Sequence, residues 1–532
     1  MRPWDKTRLY FSRFMNQFFV IFFIFARNVF AFTDSSESCR LSDDLISSFS
    51  RSSYQLFQGC SRSFPVIDSK HCSTNATFES WINSEKSASI QGLLMNVSPE
   101  GVTRGVVTAS PSRSDPDYFF HWVRDASLVM SAVIDLYEDS LSASRKREYE
   151  RLLEDFVDFS RKNQLTQNLS GGLGEPKFNV DGTAYSLEWG RPQNDGPALR
   201  ALTLIRFARI RLAQGAIDWV RVRLYDGLIP THSVIKSDLE FISHHWREHS
   251  FDVWEEVKGQ HFYTQMVQRR ALLEGAALAD DLKDFQAAKW YRKQAQALEA
   301  QILKYWDDSR KYIQVTRDDS GGISTKVSGL DVAVILGCLH GYANDDFFSF
   351  SDDRVISTAD VLRQAFDQLY TINRDSSLGT AIGRYPEDVY DGHSVGVNAG
   401  NPWVLATLGY AELYSRIAQD FFRRNQIRVT TLNLPFFQSL DGIQSLGVSL
   451  RVGIVFKKGG GIFETLLTLI QKNADLYLKR VQYHSPLSGS LSEQMNRNTG
   501  FMQGARDLAW SYASFLTAIQ EREKLARLLS PD

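Results

Sequence analysis

Six times along the chain, a helix-forming segment rich in small or apolar residues follows a loop dense in Trp, Arg, Asp, Glu or Gly. These segments begin near residues 125, 197, 264, 329, 402 and 507, mostly about 65 to 75 residues apart. Each interval has room for two helices and their connections. Runs such as Ala271-Leu272-Leu273-Glu274-Gly275-Ala276-Ala277 and Ala406-Thr407-Leu408-Gly409-Tyr410-Ala411 carry small side chains that let helix backbones approach closely. Between them lie longer segments with apolar residues at helical spacing, at 144–163, 284–306, 357–371 and 463–483. The pattern predicts an all-α ring of six helical hairpins, with small-residue helices inside and amphipathic helices outside. Such a ring gathers its polar loops at one end, as a mouth lined with carboxylates, guanidinium groups and indoles.

The loops that would form this mouth run from Tyr118 to Asp125, Trp189 to Gly196, Trp254 to Gly259, Lys326 to Asp331, Gly383 to Asp388 and Glu493 to Asp507. The chemistry they invite is glycoside cleavage. Acetal hydrolysis needs one protonated carboxyl to give the leaving oxygen a proton and one ionised carboxylate to activate water or attack carbon. Indole and phenol faces stack on the C–H faces of sugar rings, and Arg and Asp fork onto hydroxyls. Elsewhere the adjacent pair Glu255-Glu256 would be solvated helix charge, Arg124-Asp125 a helix cap, and Glu493 a loop carboxylate without a role. Their shared position ahead of small-residue helices favours the catalytic reading. Burial beside Trp254 and Val253 is expected to raise the Glu255 pKa, with the neighbouring Glu256 charge helping to hold the proton.

Composition narrows the partners. Among 532 residues, 60 basic side chains face 62 acidic ones without a basic run, which argues against nucleic acid. The N-terminus carries Arg2, Lys6, Arg8 and Arg13, then the apolar run Phe18 to Phe25, then Val29-Phe30-Ala31. This reads as a cleaved signal peptide over residues 1–31, with an uncleaved anchor as the alternative. Residues 32–85, rich in Ser, Arg and Phe without a long periodic segment, are expected to be an irregular extension packed on a domain of residues 86–529. Asn75, Asn96 and Asn168 head glycosylation sequons, the second weakened by Pro99. Cys39, Cys60, Cys72 and Cys338 match no zinc pattern, and their spacing leaves three connectivities open. A bridge within the first three is expected, with Cys338 a buried thiol.

Several stretches together resemble a known family. They are Pro116 to Asp125 (Pro-Asp-Tyr-Phe-Phe-His-Trp-Val-Arg-Asp), Gly172 to Val180, Trp189 to Arg200, and Trp254-Glu255-Glu256-Val257 with His261-Phe262-Tyr263-Thr264. Gly383 to Tyr390, Gly400-Asn401-Pro402-Trp403, and Ser492-Glu493-Gln494 running on to Tyr512 complete the set. In this order, over about 90 to 525, they are similar to the glucoamylases of glycoside hydrolase family 15, especially the yeast type.

The resemblance implies an (α/α)6 barrel and an inverting exo-hydrolase that releases β-D-glucose from the non-reducing ends of starch, dextrins or glycogen. It implies no cofactor or metal, and a monomer with no stable membrane insertion after signal cleavage. Carried over by position, Glu255 is the general acid and Glu493 the general base. Tyr118 helps place the attacking water. Arg124 and Asp125 grip the terminal glucose, Arg384 and Glu256 bind at the first and second sugars, and Trp122, Trp189 and Trp510 form aromatic walls. Gly504 departs from filamentous-fungal relatives, which often carry Ser there. No Ser/Thr-rich linker or starch-binding module is expected after the last helix, so soluble glucans are favoured over raw granules. Placement in the secretory pathway is expected, either secreted or vacuolar and spore-related. A trehalase or glucodextranase-like enzyme on the same barrel is one alternative. A non-catalytic glycan-binding protein is the other, although binding alone would need neither Glu255 nor Glu493.

Overall fold

Small and apolar side chains on every face mark the helices that lie between two layers. The computed structural model describes residues 77–396 and 399–530. Its helices are α1 (Phe78–Met95), α2 (Val123–Asp139), α3 (Ala143–Leu165), α4 (Gly196–Ala213), α5 (Ile217–Arg223), α6 (Val234–His245) and α7 (Phe262–Asp281). They continue with α8 (Phe285–Ile302), α9 (Ala333–Gly341), α10 (Asp353–Leu369), α11 (Val404–Arg424), α12 (Leu434–Ser439), α13 (Gly461–His484) and α14 (Ala509–Leu529).

Helices α2, α4, α7, α9, α11 and α14 each pack on the next, and α14 packs back on α2, closing an inner ring. These are the six segments foreseen from the sequence. Helix α11 is buried nearly all round, from Val404 through Phe421. Outer helices bury one stripe only. Helix α3, capped by the Ser142 hydroxyl, turns Tyr149, Leu153, Phe156 and Val157 inward and leaves its charged face to solvent. Helices α3, α6, α8, α10 and α13 back the inner helices that precede them, so the architecture is an (α/α)6 barrel. Residues 425–460 insert α12 and the strand pair Gln426–Arg428 with Val455–Lys457 between α11 and α13. That insertion accounts for the one long interval between repeats.

The sixth outer helix comes from the opposite end of the chain. Helix α1 packs on α14 and completes the outer layer. The expectation of an irregular extension up to residue 85 is therefore corrected. Thr77 caps a helix that begins at Phe78 and buries Ile82, Glu85, Ser89, Gly92 and Leu93 at helical spacing. Three of those five positions are polar or glycine, which hid the stripe. Gly92 is needed for the fit, because a Cβ there would lie 2.3 Å from the Tyr512 ring. The proposed signal peptide, the rest of the extension, Asn75 and the first three cysteines lie outside the described residues. Cys338 is a buried free thiol in α9. No helix among the described residues is long and apolar enough to cross a membrane.

Short antiparallel strand pairs brace the polar loops. His121–Trp122 pairs with Lys177–Phe178, and Gln494–Met495 pairs with Met502–Gln503. Ser250–Phe251, Val257–His261 and Thr316–Gly322 form a three-stranded sheet. Each braced loop leads toward the start of an inner helix, and that is where the chemistry collects.

Candidate active site

The turn Asp252 to Glu256 joins the first two strands of the three-stranded sheet. The Asp252 carboxylate accepts from the backbone N–H of Glu256 (2.7 Å) and of Val257 (3.1 Å), while the Glu255 N–H donates to the Asp252 carbonyl (2.9 Å). This tightness puts Glu255 at φ 69°, a left-handed conformation that a non-glycine residue keeps only when its surroundings hold it. Asp252 is itself buried, with Lys326 Nζ at 2.7 Å. Burial works against its ionisation, but Lys326, His261 and the N–H donors hold its pKa down to about 2. The Lys326 ammonium also reaches Asp331 and Glu256, each at 3.3 Å.

Above this turn the two adjacent glutamates part company. Glu255 Oε1 accepts from Trp122 Nε1 at 2.8 Å and faces Arg124 Nη2 at 3.4 Å. Arg124 is fixed by Asp125 (3.1 Å), Gln193 (2.9 Å) and Asp195 (3.4 Å). Burial pushes the Glu255 pKa up, Arg124 and Gln193 pull it down, and Asp125 adds to the rise. The indole bonded to the acid is Trp122, while the Trp254 Nε1 donates to Asp331 (2.8 Å). One expectation changes here. The like charge beside the acid is Asp125 rather than Glu256. The Glu256 carboxylate turns instead to Arg384 (2.9 Å) and the Tyr385 hydroxyl (2.8 Å), and Arg384 in turn forks onto Asp388 at 2.8 and 2.6 Å.

Glu493 approaches from the other side. It is 0% exposed, and its backbone is pinned between Ala505 and Val404. Its Oε2 accepts from the Tyr390 hydroxyl at 3.2 Å, and that hydroxyl lies 3.1 Å from the Tyr118 hydroxyl. Burial pushes the Glu493 pKa up to about 7, opposed by Tyr118, Arg384, the Ala505 backbone and Tyr390. Gly504 has φ +73°, and a Cβ there would sit 2.3 Å from Glu493 Oε2. The departure from the fungal pattern at this position is thus a packing requirement of this chain.

A cavity of about 300 Å³ joins the two carboxyls. It is lined by all ten residues carried over from the resemblance: Tyr118, Trp122, Arg124, Asp125, Trp189, Glu255, Glu256, Arg384, Glu493 and Trp510. Trp254 also lines it, as do Tyr390, Val395 and Trp403, to which sequence reasoning gave no site role. Tyr390 was within reach, as the last residue of the matched stretch Gly383 to Tyr390. Trp403 and Trp189 each hold a buried indole N–H with no partner among the described residues. No group of described His, Cys, Asp or Glu side chains is arranged to hold a metal ion.

The sequons fare differently. Asn96 is 1% exposed, its amide donating to the Gly92 and Asp507 carbonyls and its oxygen accepting from Thr108, so a glycan cannot be seated on it in this fold. Asn168 is half-buried and its amide nitrogen donates to the Thr166 and Gly172 carbonyls.

Over residues 87–520 the chain matches the family described as Glycosyl hydrolases family 15. The chain belongs to this family. Among its family-15 relatives, the protein named Glucoamylase from Blastobotrys adeninivorans is 41% identical over 441 residues, covering 81% of this chain and 69% of that one. Glucoamylase 1 of Rhizopus oryzae is 39% identical over 447 residues, covering 84% and 71%. The solved structure of a glucoamylase from Saccharomycopsis fibuligera matches with a TM-score of 0.77 at 30% identity, covering 85% of this chain and 96% of that one. Family-15 membership and the two facing carboxyls concur on glycoside hydrolysis.

Proposed function

We propose that this chain is an inverting, exo-acting glucan 1,4-α-glucosidase, a glucoamylase. The observation that carries the reading is one cavity lined by two buried carboxyls, each held by its own set of partners. Glu255, buried against Trp122 and Asp125, is suited to carry a proton; Glu493, met by tyrosine hydroxyls, is suited to be the base once ionised. Glu255 gives its proton to the glycosidic oxygen as the C1–O bond breaks. Glu493 takes a proton from a water held near Tyr118 and Tyr390, and the water oxygen bonds to C1 from the opposite face. The products are β-D-glucose and a chain shortened by one sugar. Protons then return to Glu255 and leave Glu493 through solvent.

Arg124 and Asp125 are assigned to the hydroxyls of the terminal sugar, and Arg384 with Glu256 to the first and second sugars. Trp122, Trp189 and Trp510 supply stacking walls. The substrate is a soluble α-glucan, and the chain works as a monomer in the secretory pathway, a placement supported by the basic and apolar N-terminal run.

Early-time NMR of glucose released from maltoheptaose tests the reading. β-Glucose as the first product and sole early sugar is expected, and Glu255→Gln and Glu493→Gln should each lower kcat by about 10² to 10⁴-fold. α-Glucose, endo-cleavage, or turnover on trehalose or dextran in place of maltose would overturn it.

A further inference from the structure

Behind the indole that holds Glu255 lies a lysine with no place in the scheme above. Lys177 is the cross-strand partner of Trp122, so the two side chains emerge on the same face of their short ladder. The lysine is only 2% exposed. Its Nζ sits 3.7 Å from the centre of the Trp189 ring, 4.1 Å from Phe120, 4.1 Å from Tyr185 and 4.4 Å from Trp122. The four rings also lean on one another, with Phe120 and Tyr185 edge to face at 5.3 Å, Tyr185 and Trp189 likewise at 5.6 Å, and Trp122 and Trp189 6.0 Å apart. The nearest carboxylate along the chain, Glu175, is already taken by Arg191 (3.2 Å) and Ser170 (3.0 Å). An ammonium is thus buried among aromatic faces, an environment that a methionine or leucine would fill without the cost of desolvating a charge. What a lysine adds is its charge.

That charge bears on the acid. Glu255 and Asp117 attract it and Arg191 repels it, and its field adds to that of Arg124 in favouring the ionised form of Glu255. A second route is the indole itself, because a cation over an indole draws electron density from the ring and strengthens the N–H as a donor. The Trp122 N–H is the one that donates to Glu255 Oε1, at 2.8 Å.

We propose that Lys177 is a positioning residue for the reaction: its caged ammonium orients Trp122 and Trp189 and keeps Glu255 a strong enough acid to release its proton to the leaving sugar. The inference rests on the reading of Glu255 as proton donor. A buried carboxyl left to desolvation alone would hold its proton too tightly, and the lysine opposes that drift. Burial lowers the lysine's own pKa to about 8, so this help persists at acidic and neutral pH and fades only above it.

The test is the pH dependence of kcat and KM for maltose in the full chain, comparing the parent with Lys177→Met, Lys177→Gln and Lys177→Arg. In both neutral variants the alkaline limb should move to higher pH by roughly half a unit or more, because Glu255 loses a cation that favours its ionised form. Their kcat at the optimum should fall several-fold as the acid weakens. Lys177→Arg should leave the limb where the parent has it. An unmoved limb in a folded neutral variant overturns the proposal, and so does a limb that Lys177→Arg shifts equally. If arginine alone yields folded protein, the cation builds the cage and the tuning role falls. Glu255→Gln run in parallel separates the two readings. Should it stay active with the parent's alkaline limb, the proton-donor reading fails. Should it be inactive while Lys177→Met leaves the limb unmoved, only the role of Lys177 fails.

Discussion

The Tyr390 hydroxyl donates to Glu493 at 3.2 Å, and a donor to a carboxylate favours its ionised form. The base works only when ionised, so activity is lost as pH falls through its pKa. Tyr390→Phe should raise that pKa further and shift the acid limb of kcat/KM upward by roughly one unit, costing about tenfold at pH values below the limb. An acid limb that stays in place or moves down would remove Tyr390 from this role. Gly504→Ala should act on the same carboxyl through space rather than charge. The added Cβ meets Glu493 Oε2 at 2.3 Å, and the backbone is left-handed. A kcat loss of about tenfold or more is expected, with little change in KM and a stability cost above about 1 kcal/mol by denaturant unfolding. Ten site residues were legible from motifs, because each lies in or directly beside a loop whose residue types suit sugar chemistry. The direction each side chain takes was not. Glu255 and Glu256 are neighbours in sequence, yet one turns to Trp122 and the other to Arg384.

The acid is held by an element that no periodicity announces. Strands of two and five residues flank the turn at Asp252, too short for an alternating pattern, in a stretch where only helices were foreseen. The turn depends on a buried charge. Asp252→Asn keeps the shape but leaves Lys326 with Asp331 and Glu256 alone, so a loss of about 3 kcal/mol at neutral pH is expected in urea unfolding. The sign with pH is definite. The folded pKa lies near 2, below that of an unfolded Asp at about 3.9, so the parent's advantage is full above the unfolded value and disappears as pH falls through the folded one. An equal gap between parent and variant at pH 2 and pH 7 would show that the charge is not what holds the turn.

At the scale of the whole barrel, closure depends on α1, which packs on α14 and carries a buried carboxyl. Glu85 is 2% exposed and keeps one bond to Ser89, and burial pushes its pKa up to about 7. A raised carboxyl favours the folded state in its protonated form. Its contribution is full below about pH 4.5 and is lost as pH rises through about 7. Glu85→Gln, which mimics the neutral form, should therefore stabilise the protein by about 2 kcal/mol at pH 7.5 and change little near pH 4. Thermal unfolding at both pH values checks this; a variant no more stable at pH 7.5 would mean that Glu85 finds compensation on folding. Burial raises the active-site carboxyls too, so the same loss of stability accompanies the chemistry there.

Much of this architecture is written locally. Small residues on all faces mark inner helices and charged stripes mark outer ones, since burial on one side or on every side leaves a periodic trace in the chain. The loops ahead of the inner helices likewise declare their sugar-binding chemistry by residue type. What tertiary structure alone decided depends on partners far apart in sequence: α1 closing against α14, Gly504 making room for Glu493, Lys326 pairing with Asp252, and Lys177 among four rings. Lys177, Lys326 and Gly504 stand in stretches the sequence had marked, but their partners do not show there, because each pairing is a packing or charge constraint met between segments that come together only when the ring closes.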